Sequence, residues 1–99
     1  MESKLKLTKE IEEQIITFLK ECGAKKISIF GSYIRGEATS ESDLDIIVEF
    51  NKSISLLDLV GFELDLSDLL GIKVELLTEK SISPYIIDDV LAEAKVIYD

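Results

Sequence analysis

Histidine is missing from this 99-residue chain and cysteine occurs once, at Cys22. A histidine-bearing zinc site and an internal disulfide are therefore both excluded, which suits a reducing compartment such as the cytoplasm. A single proline beside 46% hydrophobic residues argues for a globular chain rather than a disordered one. Basic residues are scarce: 11 against 20 acidic ones leave a net charge of −9. That balance disfavours unaided binding to DNA or RNA, so a polymer partner is expected to be a protein. No apolar run approaches the length of a membrane helix, and Met1 to Leu7 is charged, without the apolar core of a signal peptide. The expectation is one soluble domain over residues 1–99, with no second substrate-binding domain.

What is present is strong periodicity. Ile11, Ile15, Phe18, Leu19 and Cys22 recur at helical spacing between Thr8, a candidate N-cap, and Gly23, a stop signal. Cys22 reads as core filling. Leu56, Leu59, Val60, Leu64 and Leu70 predict a second helix, from a weakened capping box at Ser55 and Asp58 to Gly71, with Glu63, Asp65 and Asp68 on its solvated face. Ile72 to Leu77 alternates as a strand. Ser83 and Pro84 open a last helix with Ile86, Ile87, Val90, Leu91 and Ala94 inward, and Val96 to Tyr98 adds a short edge strand.

The organising stretch is Lys26 to Phe50. An apolar strand (Ile27, Ile29, Phe30) meets a Gly31-Ser32 turn, a short polar segment ends at Gly36, and a second strand opens with Ser42-Asp43-Leu44-Asp45. Strand side chains alternate, so Asp43 and Asp45 share one face while Leu44, Ile46 and Val48 take the other. Same-face positions lie roughly 6.5 to 7 Å apart along a strand, close enough for two carboxylates to converge on a hard divalent cation. Magnesium is the natural candidate, as one ion or as a pair about 3.5 to 4 Å apart.

If the second strand runs back beside the first, the Gly31-Ser32 turn stands next to those carboxylates and a nucleotide fits between them. Gly31 lets the backbone approach a phosphate, Ser32 offers a hydroxyl and an N–H, and Arg35 reaches a phosphate oxygen. No Gly-Lys-Ser/Thr follows, so this is not a Walker A loop. Nor is it a calcium EF-hand, because Ile46, Ile47 and Val48 stand where oxygen ligands would be needed. A helical crossover makes the second and third strands parallel neighbours, which brings Glu75 to the face of Asp43 and Asp45.

Gly31-Ser32-Tyr33-Ile34-Arg35-Gly36, then Ser42-Asp43-Leu44-Asp45, then Val74-Glu75-Leu76 resembles the DNA polymerase beta-like nucleotidyltransferase superfamily. It is most similar there to the minimal nucleotidyltransferases (MNT), the antitoxin half of HEPN/MNT toxin–antitoxin pairs. The resemblance implies an α/β, two-layer nucleotidyltransferase fold with a mixed sheet of three or four strands packed by helices. It implies catalytic and metal roles for Asp43, Asp45 and Glu75, and nucleotide binding by Gly31, Ser32, Arg35 and Ser42. Glu75 departs from the family pattern, in which aspartate is commoner at that position. The implied reaction is Mg2+-dependent transfer of AMP from ATP to a tyrosine hydroxyl of a HEPN-domain ribonuclease toxin.

Plainer readings stand beside these: a solvated strand start for Asp43 and Asp45, an exposed strand-face charge for Glu75, and a surface ion pair to Glu37 or Glu41 for Arg35. At the level of function the competitors are an antitoxin that neutralises by binding alone and a small-molecule nucleotidyltransferase.

Overall fold

The computed structural model describes residues 6–99; the charged N-terminal segment therefore lies, up to Leu5, outside the described residues. Helix α1 (Lys9–Glu21) starts where the Thr8 hydroxyl accepts a hydrogen bond from the Ile11 N–H at 3.2 Å, and it buries Ile15 and Leu19. Strand β1 (Ala24–Phe30) leads into a single helical turn, α2 (Ser32–Arg35), and strand β2 (Leu44–Phe50) returns antiparallel to β1. Helix α3 (Leu56–Leu70) then crosses over to strand β3 (Val74–Leu77), parallel to β2. A 3-10 turn at Glu79–Ser81, helix α4 (Ile87–Glu93) and strand β4 (Lys95–Tyr98) complete the described chain. The sheet order is β3-β2-β1-β4, with β4 antiparallel to β1.

Alternation divides the sheet into two unlike faces. Ile27, Ile29, Leu44, Ile46, Val48, Val74 and Leu76 point to the first face, where Ile15 and Leu19 of α1 and Leu66 of α3 join them in one buried cluster. The second face carries Phe30, Asp45, Ile47, Glu75 and Leu77 and lies under the segment that contains α4. Only Ile82 in that segment is buried. Within α4 no residue is, and Ile86 and Leu91, expected on an inward side, are exposed.

Two local expectations change. The last helix begins at Ile87 rather than at Pro84: the Ser83 carbonyl accepts from the Ile86 N–H (3.1 Å) and the Ile87 N–H (3.0 Å), but Ile86, at φ −121° and ψ −6°, leaves helical geometry, so Pro84 to Ile86 is a turn. Glu63 does not face solvent like Asp65 and Asp68. It is half-buried, and its Oε2 accepts the Leu76 N–H at 2.8 Å, while the Ser67 hydroxyl accepts the Val74 N–H at 2.9 Å and donates to the Glu63 carbonyl. Helix α3 thereby supplies the acceptors that the outer side of β3 lacks. The apolar residues of α3 also spread around the helix: Leu66 is buried, while Leu56, Val60 and Leu64 are exposed.

Candidate active site

Strand register builds the site. Phe30 of β1 is paired with Asp45 of β2, and Asp45 is paired with Glu75 of β3, so the three form one row across the second face. Asp43 lies just before β2 begins, one same-face step from Asp45. The antiparallel return of β2 brings the Gly31 turn against this row.

Gly31 is required twice over. Its φ of 84° lies in the region that side-chain-bearing residues rarely occupy, and a Cβ built there would run into the Asp45 Oδ2. Its carbonyl accepts from the Ile34 N–H (3.0 Å) and the Arg35 N–H (3.1 Å), so α2 turns up directly from the carboxylate. Tyr33 points into the core, and Gly36 ends the turn in the left-handed conformation.

The remaining expected site residues take more varied places. Ser32 is half-buried at the start of α2. Ser42 closes the loop before Asp43: its hydroxyl accepts the Thr39 N–H at 2.9 Å and its own N–H donates to the Thr39 carbonyl at 3.0 Å. Its observed work is thus to shape the approach to the carboxylates. Arg35 donates from Nε to Glu37 Oε1 at 2.8 Å and from Nη1 to Glu93 Oε1 at 2.7 Å. The pair with Glu37 matches the plainer expectation for this arginine; the pair with Glu93 could not be foreseen, because the two residues are 58 positions apart.

Asp45 is the electrostatic focus. Its carboxyl is pushed up to about 6, first by burial, then by the charge of Glu75 and a hydrogen bond shared with it, then by Asp43, against a smaller opposing pull from Arg35. A hydrogen bond between two carboxyl groups needs a proton on one of them. Asp43 is turned toward Lys73, with Nζ 3.9 Å from its Oδ1. Among the described residues, no three His, Cys, Asp or Glu side chains are gathered tightly enough to form a ready metal cage. The donors still fit a hard divalent cation in kind, since Asp43, Asp45 and Glu75 offer only carboxylate oxygens. Burial first, and then the charges of Glu75 and Asp43, disfavour the ionised form of Asp45, and a bound cation would offset both.

Beside the acids, a cleft of about 300 Å³ opens between the sheet and the α4 segment, with Asp45 and Glu75 in its wall and Phe30, Leu77, Ile86 and Val90 among its other lining residues. Sequence reasoning gave these apolar residues no role at the site. Phe30 ends β1, and the antiparallel return of β2 sets it opposite Asp45.

A family profile described as "Nucleotidyltransferase domain" matches residues 10–97. A Methanocaldococcus jannaschii protein assigned as a protein adenylyltransferase is 48% identical over 85 residues, which cover 86% of this chain and 91% of that one. Protein adenylyltransferase MntA of Thermococcus cleftensis is 41% identical over 92 residues, covering 88% and 93%. Among solved structures, one described as a minimal nucleotidyltransferase superposes with a TM-score of 0.74 at 37% identity over 85% of this chain and 86% of that one. A toxin–antitoxin complex with AMP-PNP contains a chain that superposes with a TM-score of 0.80 at 26% identity, over 88% of this chain and 72% of that one.

Proposed function

The chain belongs to the nucleotidyltransferase domain family, and on that premise we propose that it is an antitoxin adenylyltransferase, transferring AMP from ATP to a tyrosine hydroxyl of a HEPN ribonuclease toxin. The observation that carries the reading is the contact between Gly31 and Asp45, which joins a turn fit for phosphate to a cluster of carboxylates. Similarity to an MntA adenylyltransferase and to a chain of a toxin–antitoxin complex with a bound ATP analogue supports the choice of donor and partner.

In this reading the triphosphate lies along Gly31 and Ser32. Asp43, Asp45 and Glu75 would hold Mg2+, which when bound supplies charge neutralisation on the phosphates and acidifies the acceptor hydroxyl. The phenolic oxygen attacks the α-phosphorus, an oxygen–phosphorus bond forms, and the bond from that phosphorus to the bridging oxygen breaks. Pyrophosphate leaves. The phenol's proton passes to a carboxylate of the Asp45 and Glu75 pair, and the product is a tyrosyl O-adenylate. Arg35 reaches the phosphates by exchanging Glu37 and Glu93 for them, a trade between charge-assisted bonds of the same kind. The acidic chain, at net −9, favours a toxin with a basic surface, as an RNA-cutting enzyme needs.

Co-expression with the cognate HEPN toxin, then intact-mass spectrometry of the toxin after incubation with ATP and Mg2+, tests the proposal. A gain of one or more adenylate masses, absent with the Asp43→Asn variant, is the expected result. A neutralised but unmodified toxin would show instead an antitoxin that works by binding alone.

A further inference from the structure

Helix α3 keeps an apolar side that the core does not use. Of its 15 residues only Leu66 is buried, while Leu56, Leu57, Val60 and Leu64 are exposed, Leu57 at 82% and Leu64 at 61%. At 3.6 residues per turn these four fall within an arc of about 100°, so they form one stripe roughly 12 Å long. Single exposed leucines are ordinary, but a continuous row of them on one helix marks a surface for another molecule to cover.

The stripe has two unlike borders. Toward β3 stand Glu63 and Ser67, whose side chains accept the Leu76 and Val74 amides and so fix the helix against the sheet. On the other border Asp58, Asp65 and Asp68 make an acidic row. The helix contains no lysine or arginine, and among the described residues none of these aspartates has an ion-pair partner. Gly61 sits on the seam, with Leu57 and Leu64 four and three residues away and Asp58 and Asp65 three and four. A Cβ there would meet nothing within 4 Å, and Gly61 is not among the glycines of positive φ. The chain's own packing and backbone therefore do not call for glycine at a position where it weakens a helix. A partner would: without a side chain at Gly61, a second helix can come close to the α3 backbone.

Charge decides between occupants. A second copy carries the same net −9, and an antiparallel pair about a two-fold axis would set both acidic rows on the same side of the contact, where they repel. A helix whose apolar ridge is bordered by lysine or arginine covers the stripe and also answers the row.

We propose that this stripe is the docking surface for such a helix, a basic amphipathic one presented by a protein partner. The inference rests on the antitoxin reading above for the identity of the partner and adds to it the residues that hold the partner. Leu66 packs α3 against the first face of the sheet, whereas Asp45 and Glu75 stand on the second, so docking here leaves the carboxylates open.

The test measures binding of the purified cognate HEPN toxin by calorimetry, at low and at high salt. It compares the parent with three variants: Leu57→Gln with Leu64→Gln, Asp65→Lys with Asp68→Lys, and Gly61→Leu. Melting transitions and AMP-PNP affinity are followed alongside, and sedimentation reports the oligomeric state of the isolated chain. The surface predicts a toxin Kd raised roughly tenfold or more in the leucine variant. In the lysine variant it predicts a weaker complex that depends less on salt. In Gly61→Leu the complex weakens although the melting transition does not fall, and AMP-PNP affinity stays at the parent's level in all three. Unchanged toxin affinity in both the leucine variant and Gly61→Leu would overturn the docking surface while leaving the antitoxin reading in place. An isolated parent that dimerises, and that the leucine substitutions return to monomer, would make the stripe a self-contact and overturn the proposal as well. A parent that binds no toxin sinks the antitoxin reading, and this surface's partner with it.

Discussion

The two faces of one sheet are built to opposite standards. On the first, Ile15, Leu19, Ile27, Ile29, Leu44, Ile46 and Leu66 are sealed from solvent under α1 and α3. On the second, a row of Phe30, Asp45 and Glu75 opens onto a cleft beneath a helix that buries none of its own residues. Strand alternation lets Leu44 and Asp45, adjacent in sequence, serve the two purposes separately. Stability is concentrated on one side of the sheet, and the other is left free to carry clustered charge that would weaken a core.

Breaking the second face should remove chemistry without removing the fold. Asp45→Asn and Asp43→Asn are each expected to take adenylate transfer below detection while circular dichroism and the melting transition persist. Parent-like turnover in both variants would refute the site assignment. Breaking the first face should do the reverse. Ile46→Ala is expected to cost about 2 to 5 kcal/mol in urea unfolding, because it empties a fully buried position. Ile86→Ala, on a half-exposed side chain, should cost less than about 1 kcal/mol. Similar losses in the two would mean that the faces do not differ as described.

A smaller effect sharpens the comparison at the third carboxylate. Glu75→Gln should lower turnover about 10²-fold through lost acid–base or ligand assistance, and Glu75→Asp should remain active. Parent-like turnover in Glu75→Gln would leave the site with two working acids.

The smallest effect is on stability and depends on pH. Asp45 titrates near 6 in the folded chain against 3.8 for the ordinary group, so between those values the folded state binds more protons than the unfolded state. Stability of the metal-free protein from this group therefore falls as pH rises from about 4 to 6 and then levels off. Asp45→Asn should stabilise the metal-free protein at pH 7 by on the order of 1 kcal/mol, the full shift being discounted for the partial exposure of the carboxylate. The gain should vanish near pH 4. A gain that is the same at both pH values would mean that charge on Asp45 is not its source.

Much of this was legible in the residues because it depends on short-range rules. Alternation separated Asp45 from Leu44, the Gly31 turn and the polar loop left room for the second strand to run back beside the first, and the α3 crossover made β3 parallel to β2, which brought Glu75 beside Asp45. What stayed hidden depends on partners distant in sequence. Nothing near Arg35 marks Glu93 as its partner, and the spacing that predicts α3 cannot say which of its leucines a neighbour will cover. A helical glutamate such as Glu63 is usually solvated; only the position of β3 beneath it turns its carboxylate toward a backbone amide. The late start of α4 reflects the non-helical backbone of Ile86, at φ −121°, which Ser-Pro alone does not reveal.

The Glu63 and Ser67 contacts also restrict how another chain can join this one. Both polypeptide amides that they occupy, those of Val74 and Leu76, are the donors that an extended peptide would need in order to lengthen the sheet beyond β3. Such an intruder would have to displace a charged acceptor from one of them and a hydroxyl from the other before it gained a single bond. Growth of the sheet by recruitment, whether by a partner's tail or by a misfolded copy, is thus discouraged on the side nearest Glu75. The opposite margin of the sheet is β4, at the end farthest from the third carboxylate.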